Sequence, residues 1–239
     1  MKGVDRINNM QGVCLAELVI GMATALLVLA AVLEVLQIAQ SAIGGKQRTI
    51  AQQQDLRLGL EVFEQEVRLA TAEAFISATR DKVAFLANLH GQHTNTIATV
   101  LPGQSVLPVL NGSGWSQGKT VTICGRLLCE MHRLSRAGQQ DQLTLEDSVG
   151  SMFPAGASVD LRNRVSYYTK EDEKGALSLM RMVDGGANVL ISELDAVHFS
   201  YRDKNGRVAG QPSEVMQVLI EIQPRNRLPQ EKRQVALRS

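Results

Sequence analysis

From Val13 to Leu33 the chain is apolar, broken only by Glu17 and Thr24, and the apolar character carries on to about Ile38. An α-helix rising about 1.5 Å per residue needs about 20 such residues to cross a bilayer core about 30 Å thick, and this stretch is long enough. The residues ahead of it are polar, with Lys2 and Arg6 outweighing Asp5. Positive charge on the leading side of a span predicts that this side stays in the cytoplasm. A secretory signal would have a shorter apolar core, about 7–15 residues, ending in small residues at a cleavage site. A plain anchor, for its part, leaves Glu17 without a role. A charge in a membrane helix costs about 2.5–3.5 kcal/mol on insertion scales and is usually paired.

The rest of the composition narrows the function classes. Lys and Arg number 25 against 24 Asp and Glu, so no bulk attraction to nucleic acid is expected. Aromatic residues are only 4% of the chain, too few for a platform that stacks bases or sugars. Three cysteines, Cys14, Cys124 and Cys129, do not make a disulfide scaffold but fit one pair plus a thiol inside the apolar helix.

Gly12, then Val13, then Glu17 four residues on, at the mouth of an apolar helix and behind a short basic leader, resemble the processing site of type IV pilins and type II secretion pseudopilins. The resemblance implies that a prepilin peptidase cuts between Gly12 and Val13 and N-methylates Val13. It implies that Glu17 pairs with the terminal ammonium of a neighbouring subunit and so sets axial register. The family's usual first mature residue is Phe, where this chain has Val13. The helix-kinking proline of many major pilins would fall at Glu34 and is absent, which fits a minor subunit with a straighter helix.

Past the span, Gly44 and Gly45 are expected to loosen the helix. Leu56, Leu60, Phe63, Val67 and Ala70 then recur in steps of four and three and draw one apolar stripe, ending near Ala74. The remainder reads as strands. Lys82–Leu89 and Thr96–Leu101 are predicted to form a hairpin around His90-Gly91-Gln92. Thr120–Cys124 and Leu128–Leu134 form a second candidate pair. Gln142–Leu145, Arg164–Thr169, Ala176–Val183, Val197–Tyr201 and Met216–Ile222 follow, with Gln234–Arg238 as an edge strand. Asp203-Lys-Asn-Gly206 is a turn signal. Leu194–Gly206, Val235–Arg238, Gln142–Leu145 and Val165–Tyr168 resemble minor pilins and pseudopilins of the PilW or GspJ type. The expected fold is therefore α+β and pilin-like, a long N-terminal helix packed on an antiparallel β head. The expected divisions are a leader at 1–12, a transmembrane half-helix at 13–38, a periplasmic half-helix at 39–74 and a β-rich periplasmic head at 75–239.

Few residue groups point to chemistry. Cys124 and Cys129 flank Gly125–Leu128, and if the strands pair across that turn the thiols come within disulfide range, which a periplasmic location favours. Zinc held by Cys124, Cys129 and His132 is a rival reading that lacks an evident fourth ligand, and free thiols are a third. His90, His93 and His198 read as surface residues. Asp203, Asn205 and Gly206 resemble part of a calcium loop, but Pro212 stands where its glutamate belongs. No nucleophile elbow is present. Arg225, Arg227, Lys232 and Arg233 form a modest basic patch.

The resemblance implies a minor pilin that helps to initiate or cap a type IV pilus, or a pseudopilus tip subunit of a type II secretion system. Its partners would be the prepilin peptidase, other minor and major pilins or pseudopilins, and the bacterial inner membrane. No cofactor, nucleic acid, small-molecule substrate or enzymatic activity is expected. Two further readings are an uncleaved, membrane-anchored periplasmic enzyme or receptor, and a DNA-uptake pilin.

Overall fold

The computed structural model describes residues 15–71, 74–173, 175–225 and 229–237. Its elements are a helix α1 (Leu15–Arg68) and twelve strands: β1 (Phe75–Ala78), β2 (Lys82–Ala87), β3 (His93–Asn95), β4 (Val106–Pro108), β5 (Thr120–Cys124), β6 (Cys129–Arg133), β7 (Gln142–Thr144), β8 (Ser158–Glu171), β9 (Leu177–Val183), β10 (Gly186–Arg202), β11 (Gln217–Pro224) and β12 (Glu231–Ala236). A short 3-10 helix (Pro212–Glu214) precedes β11. Contacts divide the chain into two units, Met1–Ala51 and Gln52–Ser239. The class is α+β, an apolar N-terminal helix and a largely antiparallel sheet.

Described residues of the first unit belong to α1, which stays helical through Gly44 and Gly45. Each glycine costs about 1 kcal/mol of helix propensity, which an established helix on both sides absorbs.

In the second unit, the end of α1 lies on a sheet ordered β1-β2-β8-β9-β10-β11-β12, every pairing antiparallel. The predicted stripe is the buried face: Leu56, Leu60, Phe63, Val67 and Ala70 all join the core. Facing them are Val83, Phe85, Val165, Tyr167, Ile191, Phe199 and the alternating Val218, Ile220 and Ile222 of β11. The helix stops at Arg68, earlier than the stripe implies. The amides of Leu69 and Ala70 bond to the carbonyls of Glu66 and Val67 at 3.1 and 3.0 Å, a tightened last turn that keeps Ala70 buried.

The predicted hairpin around Gly91 does not form. β2 pairs with β1 and β8, and β3 pairs with β8 further along. The reason is the length of β8. Its first residues, Ser158–Arg162, lie between β3 and β5, and its later ones, from Asn163, lie between β2 and β9. β2 and β3 therefore extend the same edge of β8 in succession, and the predicted strand Thr96–Leu101 does not form: its residues make only isolated bridges, Thr96 to Val109 and Val100 to Phe153. The segment between β2 and β8 carries a core of its own, in which Val100, Leu107, Trp115, Val121, Ile123, Leu134, Leu143 and Phe153 are buried. In this lobe two glycine backbones nearly touch. A Cβ on Gly138 would lie 2.1 Å from the Gly112 carbonyl oxygen and 2.8 Å from Leu143 Cδ2. Gly138→Ala is expected to destabilise the lobe by about 3 kcal/mol, the upper end for overpacking, because backbone cannot give way as a side-chain tip can. Denaturant unfolding followed by fluorescence of Trp115, the one tryptophan in the sequence, measures it.

Val183 and Gly186 face each other across Asp184-Gly185, whose φ values of +50° and +97° belong to a primed hairpin turn. The Asp184 carboxylate accepts from the Arg164 amide and from Asn163 Nδ2, both at 2.8 Å, and from Lys119 Nζ. Burial alone would raise its pKa, but the bonds from Lys119, Asn163 and Arg164 hold it below the usual carboxylate value. A depressed pKa gives stability that is present above the unfolded value and lost as pH falls through the folded one. Asp184→Asn is expected to cost about 1 kcal/mol at pH 7, a charged hydrogen bond discounted for partial exposure, and less at about pH 3, where the carboxylate begins to protonate. Urea melts of both proteins at the two pH values test this.

Candidate functional site

α1 opens with Leu15, and Glu17 lies in its first turn, where the helix dipole favours a carboxylate. Glu17–Ile38, 22 residues of mean hydropathy 2.5, is a helix long and apolar enough to cross a membrane. Its large side chains, from Leu18 to Ile38, are exposed in the chain alone. Each would cost about 1.5–3 kcal/mol if left in water, so the stretch requires lipid or other helices around it. The one hydroxyl in this stretch causes no difficulty: Thr24 Oγ1 donates back to the carbonyls of Ile20 and Gly21, both at 3.0 Å. Glu17 is exposed. Gly12, Val13 and Cys14 lie outside the described residues.

The second unit places the other predicted residues. β5 and β6 pair antiparallel with Cys124 opposite Cys129, and the two form a disulfide. Gly125 N donates to the Leu128 carbonyl at 2.8 Å and closes the turn. His132, on β6, has its Nε2 3.0 Å from Glu130 Oε2. The same glutamate oxygen accepts the Gly150 amide at 2.9 Å. Burial raises the Glu130 pKa, but hydrogen bonds from Ser151, Gly150 and His132 outweigh it and keep the group below its usual value. The sulfurs that the zinc reading requires are bonded to each other. Among the described residues no three His, Cys, Asp or Glu side chains form a metal-binding group.

His93 is exposed on β3, with Nδ1 3.1 Å from the Gly91 carbonyl. His198, on β10, is half-buried, and the Arg80 guanidinium lies 3.3 Å from its ring nitrogens. Asp203 caps its turn through the amides of Asn205 (2.8 Å) and Arg207 (2.9 Å). Of the basic patch, Lys232 pairs with Glu221 at 2.8 Å and Arg225 approaches Asp195 at 3.9 Å, while Arg227 lies outside the described residues.

The most buried charge cluster comes from residues the periodicity did not single out. Glu66, near the end of α1, accepts from Tyr167 Oη and from the Arg181 guanidinium, whose Nε is 3.0 Å from both carboxylate oxygens. Tyr167 is fully buried and Glu66 nearly so. Burial, then the Glu66 charge, pushes the Tyr167 pKa far above its ordinary value, so the phenol is a proton donor at every working pH. The Glu66 hydrogen bond raises the Arg181 pKa further. The sequence signal was there: Glu66 follows Phe63 by three and precedes Ala70 by four, so it belongs to the stripe's flank. The cluster pins α1 to β8 and β9. Compared with protein-family models, curated proteins and solved structures, the chain matches none of them.

Proposed function

We propose that this chain is a membrane-anchored, pilin-like subunit, matured by a prepilin peptidase and built as a minor component into a filament of the type IV pilus or type II secretion class. The observation that carries the reading is the Gly12–Val13 junction four residues ahead of Glu17, with Glu17 opening a helix of membrane-spanning length. The helix anchors the precursor in the inner membrane with the leader in the cytoplasm and the sheet unit in the periplasm. Cleavage frees the Val13 amine. When the helix leaves the bilayer and packs among others, Glu17 meets a neighbour's terminal ammonium. A pair about 4 Å apart gains about 4 kcal/mol at an effective dielectric near 20. That exceeds the roughly 2.5–3.5 kcal/mol that the lone carboxylate costs in the membrane. The pairing therefore favours assembly over storage and fixes register along the filament.

Two variants separate this from an uncleaved anchored enzyme or receptor. Gly12→Val is expected to abolish processing, read as retained leader mass. Glu17→Ala is expected to be processed normally but lost from sheared filaments. A Glu17→Ala chain that assembles like the wild type contradicts the pairing role.

A further inference from the structure

The β5–β6 tip presents Arg126-Leu127-Leu128 outward. Leu127 is 99% exposed and Leu128 48%. The Cys124–Cys129 disulfide closes the loop at its base, so this apolar display is held in one shape. The tip does not stand alone. A Cβ on Gly125 would lie 3.5 Å from Phe153 Cδ1 and 3.8 Å from Pro154 Cδ, so the tip's base rests on that segment. Phe153 in turn bridges to Val100 through two backbone bonds of 2.8 and 2.9 Å. The next residues along both strands, Leu101 and Met152, are exposed at 52% and 62%. Leu101 and Met152 thus flank the bridge on which the base of the tip rests. The nearby acid, Glu130, is occupied by Gly150 and His132, whereas Arg126 forms no ion pair among the described residues.

We propose that this stapled tip is the knob by which the head docks on a neighbouring filament subunit, seating Leu127 and Leu128 in an apolar pocket rimmed by carboxylates that meet Arg126. The proposal rests on the filament reading above. The charge left unmatched at the tip selects an acidic rim, and the apolar projection selects a concave, apolar floor. A pre-formed loop loses little conformational freedom on docking, which is what a disulfide across a recognition loop supplies. A protein pocket fits better than a lipid surface. One cation is too little to hold an anionic bilayer, and the turn's backbone groups, with one internal bond at Gly125, need hydrogen-bonding partners that hydrocarbon lacks.

The test uses the full-length chain, co-produced with its prepilin peptidase in cells that assemble the filament. A benzophenone amino acid replaces Leu127 in one variant and, in a control, Val208, which is 87% exposed and follows the Asp203–Gly206 turn outside the inserted lobe. The expected result is an adduct specific to position 127 whose second chain carries its own glycine junction and glutamate at the mouth of an apolar helix. An adduct with lipid, with an unrelated protein, or equally at both positions overturns the proposal. So does the absence of any adduct. Leu127→Ser with Leu128→Ser should leave processing and the disulfide intact while filament incorporation falls at least about tenfold, as when an interface anchor is truncated. Incorporation at the wild-type level overturns the proposal. A wild-type chain that keeps its leader fails the filament reading itself, and retained mass distinguishes that failure from failure of the knob.

Discussion

Arg181→Met is expected to destabilise the sheet unit by about 3–5 kcal/mol, because it strands the Glu66 carboxylate beneath the end of α1. The guanidinium holds both carboxylate oxygens, and Tyr167 Oη supplies only a neutral donor. Arg181 keeps about a quarter of its side chain exposed, so water can partly replace it, and the lower end of the range is the better expectation. Replacing both charges, Glu66→Leu with Arg181→Met, should recover part of the loss, since an apolar pair of similar volume needs no counter-charge but leaves the buried Tyr167 hydroxyl without its acceptor. Urea unfolding of the three proteins measures it. If the double variant is as unstable as the single one, the penalty does not come from an unpaired charge.

Phe63→Ala is the second large effect, about 3–5 kcal/mol, through the cavity left in a core that cannot close on it. Phe63 is fully buried, edge-on to Tyr167 with centroids 4.9 Å apart at 79°, and 5.9 Å from Phe199. The two predictions share Tyr167, so they should not add. Loosening the ring that donates to Glu66 weakens the charge cluster as well, and a double-mutant cycle should show a coupling of about 0.5–3 kcal/mol. Strict additivity would mean that packing and the ion cluster hold α1 independently.

Much of this was legible because periodicity survives in linear sequence. The stripe from Leu56 to Ala70 and the alternation Val218-Ile220-Ile222 name the two faces that meet. The β5–β6 pair was legible from two apolar runs flanking a short turn. What failed was pairing at a distance. The runs around Gly91 have hairpin spacing, but β8 claims β2 and the short β3, Thr96–Leu101 is left with isolated bridges to Val109 and Phe153, and nothing local announces the reach of a 14-residue strand. β10 posed the same difficulty. It changes partner from β9 to β11 near Glu193, whose φ of +58° kinks the strand. There the Glu193 carbonyl accepts from Gln52 Nε2 at 3.1 Å and from the Arg225 amide at 2.9 Å. Beyond the kink, the amide of Phe199 bonds to the Arg80 carbonyl at 2.8 Å, in the turn between β1 and β2. The Glu66–Arg181 pair was hidden for another reason. A charge on the flank of an apolar stripe looks solvated until its partner, 115 residues away, is known. At the candidate processing site the situation is reversed, since Gly12, Val13 and Glu17 form a motif that is local by nature and readable without any tertiary contact.

The most direct test of the account is the intact mass and N-terminal sequence of the full chain co-produced with a prepilin peptidase. A mature protein beginning at N-methylated Val13 is the predicted result. A chain that still begins at Met1, or one cut at another bond, would contradict it and leave an anchored periplasmic domain with no link to filament assembly.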